Sequence, residues 1–189
     1  MQHKAKNNKR VGLLYGDGYR PNVGIIIFND EGKLLWARRV KHDGWQFPQG
    51  GVERGETVQE AVFRELEEEV GLCSCHVQLV GRTRNWLHYD VPSSMLRSQH
   101  SRGFKGQKQH WFLFHLLGKE SDLCLEGCDR PEFDDWKWVD YWRPVDEVIN
   151  FKRDVYEDML KALAPILFEN EHSIPTKLSR PLQFSAIKL

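Results

Sequence analysis

Residues 64 to 72 read RELEEEVGL, four glutamates in five positions just ahead of Gly71. If the stretch is helical, a turn of about 100° per residue places Glu65, Glu68 and Glu69 within roughly a 100° sector. Leu66 and Val70 then face the neighbouring sector, and Glu67 faces away. Carboxylates near a helix C-terminus oppose the helix dipole by about 0.3–1 kcal/mol each. Glu65 and Glu69, one turn apart, also repel one another. A solvated acidic face accounts for Glu67 but leaves those penalties on the other three unexplained. A divalent cation reverses both signs, and clustered carboxylates are what a hard, oxygen-preferring ion such as Mg²⁺ uses while it keeps sites for substrate phosphates.

The element that must carry these acids is legible. Thr57-Val58-Gln59-Glu60 fits a capping box, so a helix is predicted to start at Thr57. Val62, Leu66 and Val70 give it an apolar stripe, and Gly71 suits the position just past its end. Upstream, PNVGIIIFN reads as a buried strand and NDEG as the turn into a second strand, KLLWARRV. KHDGWQFPQGG is then a loop. Downstream, VQLVGRTRNWLHYDV and KQHWFLFHLL read as longer strands, WKWVDYW as a short one, and PVDEVI and DVYEDMLKALAPIL as helices. Strands interspersed with helices predict an α/β (α+β) layered sandwich. A domain over residues 17–168 is expected, with residues 1–16 a loosely packed extension and 169–189 a disordered tail.

The 189 residues carry 27 basic and 27 acidic side chains, so the total charge points to no partner. Its distribution says more: residues 82 to 110 hold six Arg/Lys against the single acid Asp90, a basic rim beside the acidic stretch. No apolar run reaches the ~18 residues of a membrane span, and MQHKAKNNKR lacks the apolar stretch of a signal peptide, so a cytoplasmic protein is expected. The cysteines form two close pairs, Cys73/Cys75 and Cys124/Cys128. Neither has the C-x2-C spacing common in zinc sites and no paired histidine motif joins them, so free thiols are expected.

Gly50, Glu56, Arg64, Glu65, Leu66, Glu68, Glu69, Gly71 and Leu72 match G-x5-E-x7-R-E-U-x-E-E-x-G-U, with U aliphatic, at all nine defined positions over 23 residues. This resembles the box of the Nudix hydrolases, which cut nucleoside diphosphates linked to another group. The resemblance implies the Nudix fold, an α/β/α sandwich with a mixed β-sheet and a loop-helix-loop box. It also implies that Gly50, Glu65, Glu68 and Glu69 bind Mg²⁺ or Mn²⁺ against a pyrophosphate. Arg64 is implied to brace a box glutamate such as Glu56. Hydrolysis needs a carboxylate to take a proton from water. Glu65 and Glu69 are candidates within the box. Glu132, in RPEFDDWKWV, is a third, and by itself it reads as an exposed loop acid.

Beyond the box, GYRPNVGIII, LLWARR, WQFPQGGV, TRNWL, GQKQHWFL, PEFDDWKWV and FKRDVYEDML, in this order, resemble the bacterial RNA pyrophosphohydrolase group. That group removes pyrophosphate from 5'-triphosphorylated RNA, and the monophosphate end left behind exposes the transcript to decay. The resemblance implies that Arg39, Phe151 and Lys152 contact the 5' end and Arg20 reaches phosphate. It places Gln107 beside the groove and makes Glu132 a catalytic or metal-linked carboxylate. Such residue types suit the task, because a 5' end offers phosphates to cations and splayed bases to aromatic rings. Dinucleoside polyphosphates are the alternative substrate. A non-catalytic nucleotide or RNA sensor is the third reading, and the intact acids speak against it. No membrane and no DNA are expected as partners. Residues 42–44, the insert over 92–105 and the terminal segments depart from the group's pattern.

Overall fold

Val23, Ile25 and Ile27 alternate along the chain with Ile26 and Phe28, and both sets are fully buried. A strand apolar on both faces needs a layer on each side. The computed structural model, which describes residues 16–40, 44–95, 103–127 and 131–168, supplies both layers. The expected 1–16 extension (all but Gly16) and the 169–189 tail lie outside the described residues, as do 42–43 and half of the 92–105 insert.

The strands are β1 (Tyr19–Phe28), β2 (Leu34–Arg39), β3 (Trp45–Gln46), β4 (Gln49–Gly51), β5 (Val77–Arg82), β6 (Leu87–Asp90), β7 (Gly106–Leu116) and β8 (Phe133–Val139). The helices are α1 (Val58–Val70), α2 (Arg143–Glu147) and α3 (Arg153–Phe168). Strand β1 runs parallel to β7 along its whole length and antiparallel to β2 and β4. The sheet is therefore mixed, in the order β3-β2-β1-β7-β5, with β4 on β1, β6 on β7 and β8 on β2. The β1–β2 turn is built by Asn29, whose side-chain oxygen accepts the N–H groups of Glu31 and Lys33 at 3.0 Å each.

Helix α1 lays Ala61, Val62, Leu66 and Val70 on one face of the sheet, against Val23, Ile25, Ile27, Phe112 and Phe114. Helix α3 lays Val155, Tyr156, Met159, Leu160 and Leu163 on the other, against Ile26, Phe28, Trp36 and Trp111. The predicted α/β/α sandwich is the observed one. Helix α1 also begins and ends where its sequence says. Thr57 Oγ1 accepts the Glu60 N–H at 3.2 Å, Glu60 Oε2 accepts the Thr57 N–H at 2.8 Å, and Gly71 closes the helix at φ 72°.

Three expectations change. The run VQLVGRTRNWLHYDV is two strands: Thr83 is tied to Trp111 by its N–H (2.9 Å) and its hydroxyl (3.1 Å), and the chain turns before β6 begins. The loop KHDGWQFPQGG contains two short strands, because Trp45–Gln46 pair with β2 and Gln49–Gly51 with β1. The thiols are not all free: Cys73 and Cys75 are joined as a disulfide, while Cys124 is free and exposed and Cys128 lies outside the described residues. Among the described residues no helix is long and apolar enough to cross a membrane.

Candidate metal and polyphosphate site

Pairing of β4 with β1 sets Gly50 opposite Val23 and brings the glycine loop over the second half of α1. The Glu65 carboxylate lies directly beneath Gly50, in the space that a Cβ there would occupy. The Gln49 N–H donates to Glu69 Oε2 at 2.8 Å. Glu65 is 5% and Glu69 9% exposed, Glu68 is half-buried, and Glu67 faces solvent. Burial, together with the neighbouring Glu65 charge, pushes the Glu69 carboxyl well above its usual range. A protein with no use for a cation here would gain by losing one of these acids.

One cation already serves the cluster. Arg64 donates from Nε to Glu56 Oε1 (2.8 Å), from Nη2 to Glu56 Oε2 (2.9 Å) and to the Gly51 carbonyl (2.9 Å), and from Nη1 to Glu65 Oε1 (2.6 Å) and Glu68 Oε2 (3.3 Å). A single guanidinium thus clamps the glycine loop to the helix, and the Glu56 and Glu65 carboxylates hold it firmly protonated. It does not reach Glu69. An all-oxygen donor set of Gly50 carbonyl, Glu65, Glu68 and Glu69, rich in negative charge and half-buried, fits a hard divalent ion.

Glu69 opens into a cleft of about 980 Å³, which is also lined by Gly50, Arg20, Arg39, Gln107, Glu132, Phe151 and Lys152. Every candidate substrate residue therefore lies on one surface with Glu69 and Glu132, whereas Glu65 and Glu68 do not line the cleft. Glu132 arrives there because β8 pairs with β2: its carbonyl accepts the Val40 N–H at 2.9 Å, and its Oε2 lies 3.7 Å from Arg39 Nη2. Arg39 also has a buried Nε–H with no hydrogen-bond partner among the described residues, a donor available to an anion. Phe151 packs against Tyr89 with ring centroids 5.7 Å apart, and Gln107 accepts the Tyr89 hydroxyl at 2.9 Å. The Arg20 guanidinium sits 5.6 Å from the Phe104 ring centroid.

Sequence reasoning named Lys152 and Gln107 but missed the buried amides around them, Gln46, Gln49, Gln109 and Asn22, at the floor of the cleft. Lys152, only 7% exposed, donates to Gln46 Oε1 (3.2 Å) and Gln49 Oε1 (3.4 Å). Gln109 bridges Gln49 and Asn22 at 3.1 and 2.9 Å. The one available signal was strand alternation, which puts Gln107 and Gln109 on the same face as the buried Trp111. Burial first, and then Arg39, lowers the Lys152 ammonium to about 8. Between that value and the unperturbed 10.5, the unfolded chain holds a proton that the folded chain has released, so stability rises with pH. Lys152→Met should abolish that rise, on the order of 3 kcal/mol, in urea melts of both proteins taken across the window. Below pH about 8 the amine is cationic and faces the cleft as an anion-binding charge.

A family model for the NUDIX domain matches residues 18–161. A protein of Ruthia magnifica subsp. Calyptogena magnifica named RNA pyrophosphohydrolase is 50% identical over 177 residues, 94% of this chain and 99% of that protein. One of the same name from Hahella chejuensis is 49% identical over 161 residues, 85% of this chain and 100% of that protein. The first alignment is longer than residues 17–168, so part of the terminal segments has a counterpart in that relative. The structure of the E. coli dihydroneopterin triphosphate pyrophosphohydrolase superposes with a TM-score of 0.60 at 21% identity, over 75% of this chain and 94% of that one. The binary complex of the C. elegans Ap4A hydrolase gives 0.58 at 19% identity, over 78% and 96%. At such identities the likeness is one of fold. The family match begins at the glycine before β1 and runs through α1, β7 and β8 into α3, so it takes in every residue of the acidic cleft, and this chain belongs to the Nudix family.

Proposed function

We propose that this chain is a divalent-metal-dependent RNA pyrophosphohydrolase, which removes pyrophosphate from the 5'-triphosphate end of RNA and leaves a 5'-monophosphate. The observation that carries the reading is the near-full-length, half-identical match to two proteins of that name. The cleft agrees with it in chemistry. Carboxylates for a metal stand beside Arg20, Arg39 and Lys152 for phosphates, with Phe151 and Tyr89 offering ring faces to a base.

Gly50, Glu65, Glu68 and Glu69 would hold the ion, Mg²⁺ or Mn²⁺, which when bound screens the phosphate oxygens and stabilises the leaving pyrophosphate. Arg64 keeps the loop and helix in register and does not touch substrate. Arg39, with its free Nε–H, and Arg20 orient the phosphate chain in line for attack by water. Glu69 is the proton acceptor: it borders the cleft, and with Oε2 committed to the Gln49 N–H its Oε1 is left to take a proton from water. Glu132, in the same cleft beside Arg39, is the second carboxylate at the reacting phosphates. Residues 17–168 form the catalytic unit, and removal of pyrophosphate from the 5' end in the cytoplasm would commit a transcript to decay.

The test compares substrates side by side with Mg²⁺: a 5'-triphosphorylated oligoribonucleotide and a dinucleoside polyphosphate. Release of pyrophosphate, a monophosphate product and a higher kcat/KM on RNA are expected. Phe151→Ala should lower kcat/KM on RNA by about 10-fold, one base–aromatic stack of 1–3 kcal/mol, and affect the small dinucleotide less. A higher kcat/KM on the dinucleotide, unmoved by Phe151→Ala, would assign the enzyme to that substrate instead.

A further inference from the structure

The loop that leaves α1 carries Cys73, Cys75 and His76, and the hydrolytic reading uses none of them. Cys73 Sγ lies 3.5 Å from His76 Nδ1, which also accepts the Cys73 N–H at 3.2 Å. The two cysteine Cα atoms are 5.4 Å apart. One sulfur from each cysteine and one ring nitrogen all lie within 4.8 Å of one another. His76 is fixed by its backbone: its N–H donates to the Cys73 carbonyl (3.0 Å), and its carbonyl accepts the N–H groups of Leu117 (2.8 Å) and Gly118 (3.0 Å). The three donors are therefore gathered by a closed turn anchored on the segment that follows β7.

Geometry and electrostatics both suit a cation. Zinc–sulfur and zinc–nitrogen bonds of about 2.3 and 2.05 Å at a tetrahedral angle set sulfur and nitrogen roughly 3.6 Å apart, and two sulfurs about 3.8 Å apart. The observed 3.5 Å between Cys73 Sγ and His76 Nδ1 is close to the first of these once Nδ1 exchanges the Cys73 N–H for the ion, and the bonded sulfurs part to the second on reduction. The loop also sits at the C-terminal end of α1, where carbonyls carry partial negative charge and the last turn has no basic residue. Two sulfurs and an imidazole select a borderline-soft ion, whereas the all-oxygen cluster on the same helix selects a hard one.

We propose that Cys73, Cys75 and His76, with the disulfide reduced, form a second metal site that takes Zn²⁺ or a similar borderline-soft divalent ion. Three protein ligands leave one position for water or an outside ligand. The disulfide of the structure is the oxidised, metal-free form of the same pair. A dithiol reductant opens it by exchange, becoming a cyclic disulfide itself while Cys73 and Cys75 become thiols. Metal binding then releases the two thiol protons to solvent.

The probe is Co²⁺, titrated into the full chain after complete dithiol reduction and anaerobic desalting. The expected result is a near-ultraviolet sulfur-to-cobalt charge-transfer band with tetrahedral visible bands, saturating at one ion per chain and bleached by Zn²⁺. The bands should persist in Glu65→Gln/Glu69→Gln, which removes oxygen donors only. They should vanish in Cys73→Ser and Cys75→Ser, and His76→Ala should weaken Co²⁺ binding at least 10-fold. In the wild type, Zn²⁺ should protect Cys73 and Cys75 from alkylation and leave Cys124 reactive. No charge-transfer band in the reduced wild type overturns the proposal. So do a band that survives both serine variants and alkylation of Cys73 and Cys75 that Zn²⁺ does not slow. None of these readouts depends on the hydrolytic reaction or its substrate.

Discussion

Glu69→Gln is expected to lower kcat by roughly 10²- to 10⁴-fold, the range that loss of a positioned acid–base group spans. The apo protein should be no less stable for it. Wild-type Glu69 sits buried beside Glu65 with its carboxyl pushed well above 4.5, so the folded state binds a proton more tightly than the unfolded state does. Stability from this group is therefore complete below pH about 4.5 and lost as pH rises toward the raised value. Glutamine does not titrate, and its carbonyl oxygen can still accept the Gln49 N–H. Apo melting temperatures of the two proteins should coincide near pH 4, and the variant should match or exceed the wild type at pH 7. Divalent ion should then raise the wild type more than the variant, because it binds the native carboxylates. A variant that melts well below wild type in the apo form at pH 7 would make Glu69 a structural residue. Glu132→Gln should cost less activity than Glu69→Gln, since Glu132 is exposed at the edge of the cleft and stands outside the buried acid cluster on α1.

Helix α1 was legible because every signal that specifies it is local. The capping box, the apolar stripe and Gly71 lie within fifteen residues and agree with one another. The same helix geometry placed Glu67 outward and the other acids inward. What sequence could not supply was the set of contacts made by pairing. Nothing within RPEFDDWKWV says that Glu132 faces Arg39. That follows from β8 lying on β2, with Phe133 in register with Arg39. Strands β3 and β4 were hidden because two or three residues carry no period; they exist because β2 and β1 offer them partners. The run from Val77 to Val91 looked like one strand because apolar residues alternate at both of its ends, Val77/Leu79 and Leu87/Tyr89/Val91, and the Thr83–Trp111 bonds that break it are tertiary. The Cys73–Cys75 pair was read by its spacing and by the expected compartment, whereas the turn closed by His76 and Cys73 is what brings the sulfurs together.

Gly50 and Gly51 are adjacent, both half-buried, both in β4, and neither has a positive φ, yet alanine at the two should have opposite fates. A Cβ on Gly51 meets nothing within 4 Å, so Gly51→Ala should keep near wild-type activity and stability. A Cβ on Gly50 would occupy the place of the Glu65 carboxylate. The backbone there is held by the ladder to Val23, so the side chain has to move. Its escape is restricted, because Glu65 is buried and tied to Arg64 at 2.6 Å. Displacement of about 1 Å at a reacting centre is enough to cost on the order of 100-fold in rate. Gly50→Ala should therefore lose about 100-fold or more in kcat/KM and bind the divalent ion more weakly. The fold should lose only about 1–2 kcal/mol, since the displaced atoms end a side chain and the core is untouched. Kinetics, ion titration and melting of the two alanine variants, run in parallel, decide the matter. Equal activities in Gly50→Ala and Gly51→Ala would mean that the close fit of Glu65 under the glycine loop plays no part in catalysis.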